Sequence, residues 1–179
     1  MIYMFLAEGF EEVEALCPLD IMRRAGLKVT TVGIGSGMIT GAHGITVKAD
    51  ICDVDYSGAE LEMIFLPGGM PGTLNLEKSA VVQGAIDSAL VKNSYIAAIC
   101  AAPSILGKRG ILRGREAICY PGFEDQLEGA VISDKKVVTD GRIMTAAGMG
   151  VACEFGLEIV ARLCGREKAE SLRHAIIAD

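Results

Sequence analysis

The segment Ile96-Ala97-Ala98-Ile99-Cys100-Ala101-Ala102-Pro103 joins a short apolar run to a proline that favours the start of a helix. Its first half predicts a buried strand over Ile96–Cys100, and a helix is expected from Ala101 to about Lys108. A sharp strand-to-helix turn needs small neighbours and exposes the side chain between the two elements, as in the nucleophile elbow of hydrolases. We therefore expect a strand–turn–helix unit here, with Cys100 at its turn.

Strands and helices alternate on both sides of this segment. Apolar and β-branched runs predict the strands Ile2–Ala7, Leu27–Ile34, Ile45–Lys48, Met63–Leu66, Ala117–Tyr120, Lys136–Thr139 and Ile143–Thr145. Helical spacing of apolar residues predicts the helices Glu11–Ala25, Ser79–Lys92, Val151–Leu163 and Arg166–Ile177. This order favours an α/β fold, with a mostly parallel sheet and helices on both faces, in a single domain over residues 1–179.

Composition restricts the class of protein and its partners. The 17 basic and 23 acidic residues give a net charge of −6, and Lys and Arg form no block of the kind that nucleic-acid surfaces need. No apolar run reaches the length of a membrane span, and Met1–Ala7 lacks the basic start of a signal peptide. We expect a cytoplasmic protein that binds neither nucleic acid nor membrane.

Cysteine and histidine usage argues against a metal site. The six cysteines are widely separated, so none forms a zinc knuckle or a dithiol motif, and there are only two histidines. We expect no metal. In a reducing compartment, most of these cysteines are expected to be small buried hydrophobes.

Cys100 is the candidate nucleophile among them. Ligands of open parallel sheets bind at the carboxyl ends of the strands, and Cys100 ends a predicted strand. The dipole of the following helix favours a thiolate there, so we expect a pKa below that of a free thiol and strained backbone angles with a positive φ. The alternative is a core cysteine that merely ends a strand.

Other strand ends and loops supply further candidates. Pro67-Gly68-Gly69 leaves N–H groups unblocked, which together with that of Ala101 form an oxyanion hole; the alternative is a plain turn. Glu14 lies at the edge of an apolar helix face, where a partly buried carboxyl holds or passes a proton; the alternative is a solvated acid. Tyr120 and His43 are the remaining titratable candidates, with a packed aromatic and a surface loop residue as the alternatives.

Four ordered motifs resemble one family. They are Gly9-Phe10-Glu11-Glu12-Val13-Glu14, Met22-Arg23-Arg24-Ala25-Gly26, Leu66-Pro67-Gly68-Gly69 and Ala97-Ala98-Ile99-Cys100-Ala101-Ala102-Pro103. With Glu154-Phe155-Gly156-Leu157 near the end, the resemblance covers essentially the whole chain. The sequence is similar to the ThiJ/PfpI superfamily, and within it to the branch of the parkinsonism-associated protein deglycase and its bacterial relatives.

The resemblance implies a flavodoxin-like sandwich, similar to class I glutamine amidotransferases, that forms a homodimer. It places the nucleophilic, oxidation-sensitive cysteine on Cys100 and a protonated partner carboxyl on Glu14, with the N–H groups of Gly69 and Ala101 holding the substrate oxygen. It implies conversion of methylglyoxal to lactate (glyoxalase III activity) or deglycation, without a cofactor. The alternative is a redox-sensing or chaperone-like stress protein that uses oxidation of Cys100.

Two positions depart from the family pattern. The histidine that many members place near the cysteine aligns with Tyr120, and an arginine near the site aligns with His43. Whether either residue replaces that histidine is open at this point. The protease-like branch has a histidine directly after the cysteine, where this chain has Ala101, so we expect no proteolysis.

Overall fold

Residues 1–178, which this computed structural model describes, contain eleven β-strands and six α-helices. The strands are β1 (Ile2–Leu6), β2 (Val29–Gly33), β3 (Met38–Thr40), β4 (Thr46–Lys48), β5 (Ile51–Cys52), β6 (Met63–Leu66), β7 (Tyr95–Ile99), β8 (Glu116–Ala117), β9 (Val131–Ile132), β10 (Val137–Asp140) and β11 (Ile143–Ala146). The helices are α1 (Glu12–Arg24), α2 (Gly72–Lys78), α3 (Ala80–Val91), α4 (Pro103–Lys108), α5 (Ala152–Cys164) and α6 (Arg166–Ala175). Within the described range, no helix is long and apolar enough to cross a membrane.

The central sheet has the order β10-β11-β7-β6-β1-β2-β5. Neighbouring strands run parallel, except β10, which is antiparallel to β11. The order β2-β1-β6-β7-β11 is that of a flavodoxin-like sheet, in which the direction of strand addition reverses beside β1. The predicted mostly parallel sheet is confirmed.

Helices cover both faces of this sheet. On β6, Ile64 packs into an apolar cluster with residues of α3 and α4, whereas Phe65 packs into a second cluster with residues of α1 and α5. This alternation is the two-residue period of a strand buried on both faces. The ring of Phe65 lies 5.6 Å from that of Phe155 on α5, centroid to centroid. The expected two-layer covering of the sheet is therefore present.

Two predicted elements around the elbow have other bounds. The predicted helix start at Ala101 is wrong: α4 begins at Pro103, because the N–H groups of Ala102 and Ser104 donate to carbonyls three residues earlier, as in a turn and not in an α-helix. The predicted strand Ala117–Tyr120 is reduced to β8, since the N–H of Ile118 turns to the Thr145 hydroxyl at 3.0 Å. The connection after β8 then passes close to the turn at Cys100.

Candidate active site

Cys100 occupies a turn between β7 and α4. Its φ of 65° lies in the left-handed region, which confirms the predicted positive φ. Its N–H donates to the Ala146 carbonyl at 2.9 Å, and its carbonyl accepts from the Tyr120 N–H at 2.8 Å. For a residue other than glycine this conformation costs about 1–2 kcal/mol, and these bonds hold it in place. Strain of this kind is concentrated at functional sites.

The first turn of α1 brings Glu14 to this elbow. The Glu11 carboxylate caps the helix by accepting from the Glu14 N–H at 2.7 Å. The Glu14 side chain is 1% exposed, so the alternative of a solvated acid is wrong. A methyl group added at Gly68 would collide with both Glu14 Oε2 and Cys100 Cβ. The carboxyl and the thiol therefore meet across a glycine that has no side chain to separate them.

Burial and mutual repulsion govern the protons of this pair. Burial raises the pKa of Glu14 to about 7, and the Glu11 charge adds to the rise, while contacts with the Cys100 thiol and the backbone of Gly68 and Met149 oppose it. Burial and the Glu14 carboxylate raise the pKa of Cys100 to about 12, against the N–H groups of Gly69 and Ala101. The predicted lowering of the thiol pKa is thus wrong: burial of the thiol is the larger cause of the rise, and the Glu14 carboxylate adds to it.

The position of one proton decides what the pair can do. With the proton on Glu14, the repulsion between carboxylate and thiolate disappears, and only burial of the sulfur then disfavours a thiolate against the N–H groups of Gly69 and Ala101. Glu14 Oε2 is buried and, although it contacts the thiol, forms no hydrogen bond of ordinary geometry in the described chain. An orphaned buried oxygen of this kind is suited to holding and transferring a proton.

Tyr120 lies beside the pair. Its ring carbons Cδ2 and Cε2 would be 3.3 and 3.8 Å from a methyl group added at Gly148, and Glu14 Oε1 would be 3.7 Å from the same point. Tyr120, Gly148 and Met149 line a cavity of 360 Å³ on this side of the carboxyl. Tyr120 is half exposed, so the alternative of a fully packed aromatic does not apply. Glu14 and Cys100 do not line this cavity, but Gly148 and Met149, which do, contact Glu14.

His43 lies in a different cluster. Its ring Nδ1 is 2.9 Å from Glu12 Oε2, and its backbone N–H donates to Glu12 Oε1 at 2.7 Å. The Glu12 hydrogen bond raises the pKa of His43. The ring is 70% exposed and its contacts are with Glu12 and Glu11, not with Glu14 or Cys100. Within this chain, His43 is therefore a surface loop residue, as the alternative had it.

The Glu11, Glu12 and His43 cluster also offers ligand atoms within 4.8 Å of one another. Burial works to raise the pKa of Glu12, but the hydrogen bonds from the His43 side chain and from the backbone outweigh it and lower that pKa. Because the Glu12 carboxylate already accepts from His43 and from the N–H of Ile45, the cluster is explained as a clamp between α1 and the 42–45 turn.

One strand end near the site was missed in the sequence. Gly148 and Met149, which follow β11, contact Glu14 and line the cavity beside it. The available signal was the run Ala146-Ala147-Gly148-Met149-Gly150 directly after a predicted strand, since small residues at a carboxyl edge permit close approach.

Comparisons with known proteins agree on one family. The sequence model described as the DJ-1/PfpI family matches residues 1–162. The Drosophila melanogaster Protein dj-1beta is 33% identical over 177 residues, which cover 97% of this chain and 95% of that protein. A Caenorhabditis elegans protein named Glutathione-independent glyoxalase DJR-1.2 is 32% identical over 166 residues, 92% of this chain and 89% of its own.

The fold agrees with solved structures as well. The structure described as Toxoplasma gondii DJ-1, oxidized, superposes with a TM-score of 0.94 at 30% identity, over 98% of this chain and 97% of that one. The flavodoxin-like sheet of this chain, with helices on both faces, is thus shared over nearly its whole length.

Proposed function

The chain belongs to the DJ-1/PfpI family, and we propose that it is a cysteine-dependent, cofactor-independent enzyme of the glyoxalase III/deglycase type. Its substrates would be methylglyoxal-type dicarbonyls or their adducts. The observation that carries this proposal is the contact between Cys100, in a left-handed turn, and the buried Glu14 carboxyl, whose pKa is raised to about 7. The name of the nematode relative, a glutathione-independent glyoxalase, supports the same reaction class.

The reaction uses one nucleophile and one proton carrier. The Cys100 thiolate adds to the aldehyde carbon, and the resulting oxyanion takes the Glu14 proton, which gives a hemithioacetal. Glu14 carboxylate then removes the proton from that carbon, which gives an enediolate. The hydroxyl proton on that carbon passes to the neighbouring oxygen, and Glu14 returns its proton to the neighbouring carbon, which leaves a thioester of the 2-hydroxy acid. Water attacks the thioester carbon and gives one proton to Glu14, the C–S bond breaks, and the thiolate leaves as the acid is released.

Backbone and cavity supply the remaining functions. The N–H groups of Gly69 and Ala101, which interact with the Cys100 thiol, are the donors for the developing oxyanion. The substrate would enter from the cavity lined by Tyr120 and Met149, whose backbone contacts Glu14. Tyr120 would assist the proton transfer, since its ring and Glu14 both lie next to Gly148. His43, which contacts Glu12 and Glu11 instead, would have no part in it within one chain.

Turnover of methylglyoxal by purified protein tests this proposal. Cys100→Ser should abolish lactate formation, and Glu14→Gln should reduce it by at least about a hundredfold, the usual contribution of a general acid–base group. Cys164→Ser is the matched control, since Cys164 is an exposed cysteine at the end of α5. Lactate formation by Cys100→Ser at the parent rate would refute the proposal.

A redox-sensing or chaperone-like role is the second candidate. It is favoured by the relative that is described as oxidized and by the partial exposure of the Cys100 thiol. Peroxide would convert the Cys100 thiolate to a sulfinic acid held by Glu14. Mild peroxide followed by intact mass should then add two oxygens at Cys100 alone, whereas random oxidation of several cysteines would count against this role.

We also propose that the protein forms a homodimer in the cytoplasm. Apolar side chains exposed on α1, the β3–β4 hairpin and the turn after β11 support the dimer: Val13, Met38, Ile45 and Met149. Light scattering of the purified chain should give twice the 18.8 kDa mass of one chain. A monomer at micromolar concentration would contradict it.

A further inference from the structure

Cys17 and Cys153 form a thiol pair that the proposed reaction does not use. Both are free, half-buried cysteines, on α1 and α5 respectively. Both pack against the same small apolar cluster, to which Ile21 and Leu172 belong. Both also line one cavity of 280 Å³ between these helices. Two thiols from distant parts of the chain thus share one partly open space.

The packing of α1 on α5 places Cys17 and Cys153 at the same height along the two helix axes. The helices follow the parallel strands β1 and β11 and cover the same sheet face, so they run in the same direction. They approach closely at Gly156, where an added methyl group would touch Ile21 and the Cα of Pro18 at 3.1 Å. Cys153 lies one turn before Gly156, and Cys17 directly precedes Pro18.

The thiols interact across this gap. Burial first, and then the charge and hydrogen bonding of Cys153, raise the pKa of Cys17 to about 11. Cys17 therefore stays protonated at neutral pH. We assign the first attack on an oxidant to Cys153, and to Cys17 the later attack that forms the disulfide.

We propose that Cys17 and Cys153 are a modification site, which a peroxide converts to a disulfide that ties α1 to α5. Cys153 attacks one peroxide oxygen as its thiolate, the O–O bond breaks, and the Cys153 sulfenic acid and a first water form. The Cys17 sulfur attacks the sulfenic sulfur, the S–O bond breaks, and a second water leaves with the Cys17 proton. Two thiols lose two electrons and two protons, and the peroxide is reduced to two waters.

The disulfide would close a loop that contains most of the chain, including β6, β7 and the elbow. Such a crosslink stabilises the folded state by restricting the unfolded chain, and it leaves Cys100 outside the linked pair. The proposal is independent of the proposed enzyme activity, because a Cys100→Ala variant should form the same link.

Tryptic mapping tests this pairing directly. Cleavage after Lys and Arg places each of the six cysteines on its own peptide, with Cys17 in 1–23 and Cys153 in 143–162. The protein is treated with equimolar hydrogen peroxide, blocked with an alkylating reagent under denaturing conditions, and digested without reductant. We expect one linked pair of these two peptides, a monomer on non-reducing gels, and a melting temperature that rises and returns after reduction.

Cys17→Ser and Cys153→Ser should each remove the linked peptides and the rise in melting temperature. Cys164→Ser, which changes another cysteine of α5, should leave both unchanged. Linkage of Cys17 or Cys153 to any other cysteine, linkage between two chains, or no linkage at a peroxide level that oxidises Cys100 would overturn the proposal.

Discussion

At the scale of single residues, the active-site candidate is a two-group acid–base system. Glu14 is buried, Cys100 is strained, and Gly68 separates them only by its backbone. Burial delays loss of the first proton from the pair to about pH 7, and repulsion between two negative charges opposes loss of the second still further. Cys100 is a nucleophilic thiolate only when the remaining proton is on the Glu14 carboxyl and not on the sulfur.

Glu14→Gln should change how stability depends on pH. The pKa of Glu14 is about 7 in the folded state and 4.5 in an ordinary carboxyl, so the folded state binds this proton more tightly. Its contribution is fully present below about pH 4.5 and is lost as the pH rises through about 7, a loss of about 3 kcal/mol. Urea unfolding followed by circular dichroism should show this decline in the parent and not in Glu14→Gln. Parallel profiles for the two proteins would contradict the assignment.

Gly68→Ala should damage the site more than the fold. The added methyl group would collide with Glu14 and Cys100, so we expect the Cys100 alkylation rate to change and methylglyoxal turnover to fall. Overpacking of this kind costs about 1–3 kcal/mol of stability. Gly84→Ala is the control, because a methyl group there meets nothing within 4 Å. An unaltered alkylation rate in Gly68→Ala would show that the pair is not held across this glycine.

At the scale of elements, the strongly apolar strands and long amphipathic helices were predictable from the sequence. β6 has the predicted bounds, Met63–Leu66. A short apolar run that ends at Pro67-Gly68-Gly69 is too short for a helix and is therefore predicted as a buried strand. The seven-residue α2 was not predicted, since it starts at Gly72 and has too few turns for a clear period. The long-range contact of Glu14 with Gly148 and Met149 was beyond sequence reasoning, because it depends on how α1 and the end of β11 meet.

Two glycines in helices give opposite predictions at this scale. Gly156→Ala on α5 should destabilise the protein by about 1–3 kcal/mol, because its methyl group would press on Ile21 and Pro18 of α1. Gly84→Ala on α3 should stabilise it by up to about 1 kcal/mol, since alanine is the better helix former and the space is open. Denaturant midpoints of the two variants test this, and equal shifts of the same sign would contradict the packing of α1 on α5.

At the scale of the whole molecule, one sheet supports both apolar clusters. β6 and β7 each contribute residues to the cluster under α3 and α4 and to the cluster under α1 and α5. Neither face can then lose its packing without exposing strands that the other face needs. This arrangement supports the proposal that the chain is a single domain.

We therefore expect one cooperative unfolding transition. Far-ultraviolet circular dichroism, which follows helices and strands, and tyrosine fluorescence, which follows tertiary packing, should give coincident denaturant curves. The reduced protein is the sample to use, so that a disulfide between Cys17 and Cys153 does not add a second species. Two separated transitions would show that the faces unfold independently.

In the proposed reaction, Cys100 and Glu14 share one proton, and Cys100 is the nucleophile. The most direct test is the pH dependence of alkylation at Cys100, read from peptide 93–108, which contains no other cysteine. In the parent, the pair loses its first proton near pH 7, and the species with the proton on Glu14 and the charge on sulfur should then give a first, limited rise in the rate. A second rise should follow only toward pH 12, where the thiol itself ionises, and Glu14→Gln should remove the first rise. A parent curve with no rise near pH 7, or identical curves for the two proteins, would contradict this assignment.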